Sequence, residues 1–144
     1  MPNYNKYFKQ ILKETAAMST CARVQVGCVI VRDGRIISTG WNGVPAGQEH
    51  CKDEYVFGGL PIESHHTWST KHEVHAETNA IGYAAKNGVA TQGATIYTSV
   101  SPCIDCAKLI IAAGIKCVYY IDEYDRSNTG EAFLRRNKIG CTKL

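Results

Sequence analysis

The chain carries His75-Ala76-Glu77 and, about two dozen residues later, Pro102-Cys103-Ile104-Asp105-Cys106. This split cluster constrains the fold more than any other feature, because two distant segments must converge on one point for it to work. His75, Cys103 and Cys106 are good zinc ligands, and Glu77 stands beside them as a proton carrier. One histidine and two cysteines fill three positions of a tetrahedral ion and leave the fourth open, as a catalytic zinc requires. A structural zinc would need a fourth ligand and would leave no room for a substrate.

Local spacing says how the convergence is achieved. Cys103 and Cys106 are three apart and share one face of a helix. Pro102 just before them suits a helix start, where its missing N–H costs nothing. Both thiols then lie at the positive end of a helix dipole, which favours thiolate, the metal-binding species. His75 and Glu77 are two apart and would diverge within a helix, but at a helix entrance both reach one cavity. Two helix N-termini are therefore expected at the metal. A zinc ion there lowers the pKa of its water from about 15.7 to about 7, and Glu77 becomes the natural general acid and base.

The remaining chain orders itself around these helices. Apolar residues at Phe8, Ile11 and Leu12 predict a helix over Tyr7–Met18. Strands are predicted over Val24–Val31 and Arg35–Gly40, joined at Asp33-Gly34, a strong hairpin signal. A helix follows over Val74–Asn87, closed by Gly88, then a strand over Ala94–Ser99 and a helix over Cys103–Ala113, closed by Gly114. Lys116–Ile121 reads as a strand, Gly130–Arg136 as a short helix and Ile139–Thr142 as a last strand. Such alternation predicts an α/β fold with parallel strands and three layers. Residues 41–72 have no clean period, and a connection that long inside one domain is usually functional or disordered.

With 144 residues the chain is expected to form one domain, residues 1–144, around a single core. Its net charge of +3 is mild and scattered, with only Arg135, Arg136 and Lys138 clustered. That argues against a long nucleic acid as partner, which calls for a basic stripe, whereas a small phosphorylated ligand needs one or two cations. No apolar run is long enough to span a bilayer, and Met-Pro-Asn-Tyr-Asn-Lys lacks a secretory core. The cytoplasm is the expected compartment. Seven cysteines, an odd number, then fit metal ligands and reduced thiols better than a disulfide framework. Cys28, Cys117 and Cys141 lie in apolar strand-like segments and are expected to be small buried hydrophobes.

The His-x-Glu and Pro-Cys-x-x-Cys pattern resembles the zinc signature of nucleobase deaminases. Further runs narrow the resemblance to deoxycytidylate (dCMP) deaminases, phage-type, within the cytidine deaminase superfamily. They are Val26-Gly27-Cys28-Val29-Ile30, Thr39-Gly40-Trp41-Asn42-Gly43-Val44-Pro45-Ala46-Gly47, His75-Ala76-Glu77-Thr78-Asn79-Ala80-Ile81, and Ser101 to Ile110. Trp41 stands where the family has tyrosine. The likeness runs from about residue 4 to 142. It implies a three-layer sandwich, a central mixed five-stranded sheet with helices on both faces. It also implies hydrolysis of dCMP to dUMP, the thymidylate precursor, with Glu77 moving protons to the ring nitrogen and the departing amino group.

The resemblance further implies roles for single residues. Asn42 would bind the deoxyribose or a neighbouring nucleotide, Ser101 and the Ala76 backbone would read the base, and Tyr124 would pack on it. Arg23 and Lys86 are candidates for the substrate phosphate, each set against an ordinary surface role. Cys21, Cys51, His65 and Glu73 resemble the ligands of a second, structural zinc, with His50, His66 and His72 as neighbours able to substitute. The family is commonly a hexamer, activated by dCTP and inhibited by dTTP, each with Mg²⁺; Trp41, Asn42 and Gly43 mark the expected effector loop. Two rivals remain at this level: a tRNA adenosine deaminase, which would need a basic face, and a catalytically dead zinc module, which would have no use for Glu77.

Overall fold

The computed structural model describes residues 2–124 and 128–144. Helix α1 (Tyr4–Ala16) starts earlier than its apolar period suggests, because Asn3 caps it: Asn3 Oδ1 accepts from Lys6 N at 3.0 Å. Strands β1 (Gly27–Arg32) and β2 (Arg35–Trp41) form the expected hairpin. Asp33 (φ 53°) and Gly34 (φ 72°) are both left-handed at its turn, which is why Asp-Gly serves there. Helices α2 (His65–His72) and α3 (Ala76–Lys86) follow, then β3 (Thr95–Val100), α4 (Ile104–Ala112), β4 (Cys117–Asp122), α5 (Thr129–Arg136) and β5 (Gly140–Lys143).

The five strands make one mixed sheet in the order β2-β1-β3-β4-β5. β1 is antiparallel to both β2 and β3, whereas β3, β4 and β5 run parallel across α4 and α5. Alternation along each strand sorts the two faces. Cys28, Ile30, Ile96, Val118 and Tyr120 point to α3, α4 and α5, meeting Ala80, Ala107, Ile110 and Leu134. Val29, Val31 and Tyr97 point the other way, onto Phe8 and Leu12 of α1. Truncating a fully buried anchor such as Leu12 to alanine is worth about 2–5 kcal/mol. The result is the expected sandwich, a five-stranded sheet with helices on both faces. Cys28 and Cys141 are buried as expected, while Cys117 is only partly so.

Two departures bear on the site. The strand predicted from Val24 begins only at Gly27, because the backbone of Val24 and Val26 is held by the Asn42 side chain instead of a neighbouring strand. The irregular 41–72 stretch contains a π-helical turn (Asp53–Phe57), a 3₁₀ turn (Ile62–Ser64) and the whole of α2. None of these shows an apolar period, since no residue of the three is buried. Gly40 explains how α3 lies on β2: a Cβ there would come within 2.5 Å of Ala76 O and Ala80 N. Among the described residues no helix is long and apolar enough to cross a membrane.

Candidate zinc centres and the cavity between them

His75 and Cys103 each occupy the residue just before a helix, with extended backbone (ψ 153° before α3 and 171° before α4). Their side chains therefore turn back across the helix ends, as the two-residue spacing of His75 and Glu77 demands. His75 Nδ1 lies 3.3 Å from Cys106 Sγ and 3.5 Å from Cys103 Sγ. A tetrahedral zinc with ordinary Zn–N and Zn–S bonds sets that edge at about 3.6 Å, so the three donors stand where such an ion needs them. Cys103 also caps α4 by accepting from Cys106 N at 3.5 Å.

The electrostatics agree. The Cys106 thiol hydrogen-bonds Cys103 and, with help from His75, brings the Cys103 pKa down to about 4. Cys106 is pushed far up, first because it donates in that pair, then by burial and by the Glu77 carboxylate. His75 is raised chiefly by its hydrogen bond to Cys103. The pair thus holds one proton between two sulfurs, and a divalent ion replaces that proton with a second thiolate at hand. Glu77 is buried at 4% exposure, and its Oε1 accepts from Thr98 Oγ1 at 2.8 Å. Thr98 was not marked by its sequence; the signal it offered was a hydroxyl residue on the inward-pointing side of β3, between Ile96 and Val100.

These groups open into a cavity of about 250 Å³. Arg23, Asn42, Ala76, Ser101 and Tyr124 all line it, together with His75, Glu77 and Cys103. Lys86 does not: it sits in the last turn of α3, about 16 Å along the helix from His75. Trp41 and Gly43 flank the cavity without lining it. Asn42 is engaged with backbone at both ends of its amide, accepting from Val26 N at 2.9 Å and donating to Val24 O at 2.8 Å. It shapes the wall. Ser101 Oγ accepts from Tyr124 N at 2.7 Å, fixing the backbone from which the tyrosine ring projects. Sequence reading missed Ser69 and Thr70 and offered His66 only as a substitute metal ligand; α2 brings all three to the same cavity.

A second donor cluster borders the same cavity, which Cys21, His65 and Glu73 also line. Cys21, Cys51, His65 and Glu73 place one ligand atom each within 4.8 Å of the others. His65 Nε2 is 3.2 Å from Cys51 Sγ, 3.5 Å from Cys21 Sγ and 3.4 Å from Glu73 Oε1. The edge-to-face contact of Tyr55, at 5.1 Å between centroids, orients the His65 ring. Burial raises the Cys21 thiol to about 12 and also raises Cys51. Glu73 is buried at 2% side-chain exposure, and its Oε2 has no hydrogen-bond partner among the described residues. A buried, half-satisfied carboxylate beside two thiols and an imidazole is costly unless a cation joins it. Four closed ligands suit a structural zinc.

Comparison with known proteins agrees with this geometry. Residues 1–122 match the family described as the cytidine and deoxycytidylate deaminase zinc-binding region. Deoxycytidylate deaminase of enterobacteria phage T2 is 37% identical over 159 aligned positions, covering 89% of this chain and 85% of its own. The ComE operon protein 2 of Bacillus subtilis is 48% identical over 122, covering 85% of this chain and 61% of its own. The crystal structure of the cyanophage S-TIM5 dCMP deaminase in complex with dCMP and dUMP superposes with a TM-score of 0.83 at 30% identity, over 100% of this chain and 98% of that one. A zinc cluster at two helix entrances, a buried glutamate beside it and a family match across most of the chain lead to one assignment: the chain belongs to the cytidine and deoxycytidylate deaminases.

Proposed function

We propose that this protein is a zinc-dependent hydrolase that converts dCMP and water to dUMP and ammonia. The carrying observation is the set of His75, Cys103 and Cys106 donors beside a buried Glu77 at the floor of a nucleotide-sized cavity. Zinc held by those three residues would acidify a bound water to a pKa of about 7. Glu77 would take one proton from that water and give it to N3 of the pyrimidine as the water oxygen bonds C4; it would then pass the second water proton to the amino group, which leaves C4 as ammonia while the oxygen stays as the carbonyl. Thr98 holds the carboxylate in place for both transfers. Ala76 and Ser101 face the base, Tyr124 packs along it and Asn42 frames the sugar. Loss of dCMP absorbance in the ultraviolet tests the reading. Zinc-loaded protein that leaves dCMP untouched would overturn it.

The second cluster is proposed to hold a structural zinc on Cys21, Cys51, His65 and Glu73, supported by the orphaned Glu73 Oε2. Metal analysis finding only one zinc per chain in fully loaded protein would refute this. Effector control by dCTP and dTTP with Mg²⁺, in a homohexamer, is proposed at the 41–43 turn. Its support is a direct route to the zinc: Gly43 and Val74 exchange backbone hydrogen bonds at 3.1 and 2.8 Å, and His75 is the next residue. Asn79 Nδ2 also donates to Trp41 O at 2.8 Å. Flat dose-response curves with both triphosphates would remove the effector role. The mild, scattered charge supports a free nucleotide as substrate and a cytoplasmic place in pyrimidine deoxynucleotide synthesis, without nucleic acid or membrane as partner.

A further inference from the structure

We infer that Gly130 is a positioning residue for the catalytic zinc, because it backs the peptide that carries the ligand Cys103; this rests on the zinc reading above and not on the identity of the substrate. Glycine inside a helix costs stability relative to alanine. Gly130 lies within α5 and is not left-handed, so backbone freedom does not account for it. Space does. A Cβ on Gly130 would overlap Pro102 O and lie 2.9 Å from the carbonyl carbons of Pro102 and Cys103. The first turn of α5 therefore rests directly on the Pro102–Cys103 peptide, at the entrance of α4.

The helix side of this contact is locked. Glu131, the next residue, is buried, and its Oε2 accepts from Tyr120 Oη at 3.2 Å and from Arg135 Nη1 at 3.3 Å. Arg135 Nη2 donates in turn to Cys141 O at 2.9 Å. A buried carboxylate does not leave such partners cheaply, since parting leaves its charge unpaired. α5 is thus tied to β4 through Tyr120 and to β5 through Cys141. On the other side of the contact Pro102 is fully buried, and Ser101 N before it donates to Asp122 O at 2.8 Å. A push from α5 is therefore passed on to Cys103, whose Sγ stands 3.5 Å from His75 Nδ1.

The test is zinc affinity by competition with a chelator, counting as catalytic the zinc that Cys103→Ser protein fails to bind. Gly130→Ala is expected to weaken that zinc by about 10- to 100-fold, as loss of support behind a metal ligand does. With cobalt in place of zinc, the thiolate-to-metal absorption that Cys103→Ser removes should shift, a signature that stability alone does not move. Leu134→Ala is the control, since Leu134 lies one turn further along α5 and is fully buried in the core. It should lower the thermal midpoint yet leave the zinc affinity and the cobalt spectrum as in the wild type. Unchanged zinc affinity in Gly130→Ala, or equal weakening in Leu134→Ala, would overturn the inference. If Gly130→Ala does not fold, Glu131→Gln, which keeps the volume and removes the charge that Arg135 pairs, must still weaken the same zinc. A Cys103→Ser protein that binds as much zinc as the wild type would overturn the zinc reading itself, and this inference with it.

Discussion

Thr98 donates its buried hydroxyl to Glu77 Oε1 at 2.8 Å, so a residue of the central strand β3 fixes the carboxylate at the entrance of α3. The same hydroxyl lies 2.8 Å from Val100 O, a second acceptor for its single hydrogen. Thr98→Val keeps the shape and leaves Glu77 one donor short. We expect a loss of about 1–2 kcal/mol in stability and a kcat lowered several-fold with zinc content unchanged. Urea unfolding and steady-state kinetics check both.

Glu77→Gln removes the proton carrier while preserving volume and the hydrogen bond from Thr98. Turnover of dCMP should fall by about 10²- to 10⁴-fold, and metal analysis should find the zinc retained. An active Gln variant would sink the proton-transfer scheme.

Gly40→Ala should act on the site from a distance. The new Cβ meets Ala76 O and Ala80 N at 2.5 Å and must push α3 off β2, carrying His75 and Glu77 with it. Overpacking of this kind costs about 1–3 kcal/mol. The expected result is a lower thermal midpoint together with weaker zinc retention during dialysis against a chelator.

Alkaline pH should destabilise the fold through buried acids. Burial raises Tyr97 from 10.0 to about 12 and Cys141 from 9.0 to about 11. Each group is neutral when protonated, and its folded-state pKa lies above the unfolded one. The stability it contributes is therefore intact below the unfolded pKa and is lost as pH rises through the folded one. Urea midpoints should drop between about pH 9 and 12. Tyr97→Phe should flatten the upper part of that drop, after allowing for its lost 3.0 Å hydrogen bond to Asn5. A midpoint independent of pH in this range would contradict the assignment.

Most of this protein's architecture was legible because its signals are short-range. The Asp33-Gly34 turn, the glycines after α3 and α4, and the short apolar runs of β1, β3 and β4 each depend on neighbours within a few positions. The catalytic zinc set was legible for the same reason, since Cys103 and Cys106 share a helix turn and His75 stands beside Glu77. The second cluster was expected from family resemblance, because Cys21 and Glu73 are 52 residues apart and form no local pattern. Helix α2 escaped notice because it buries no apolar face, so no period marks it.

Residue order by itself therefore determined the order of the strands and of the helices that pack on them, the layer class and the catalytic metal set of this chain, all written in local spacing. Only the tertiary structure decided that Thr98 braces Glu77, that the Asn42 amide braces the backbone at the cavity wall, and that Arg23 shares that cavity with α2. Those relationships depend on sheet register and on helices docking across long stretches of chain, where the distance between two side chains is set by packing and not by their separation in sequence.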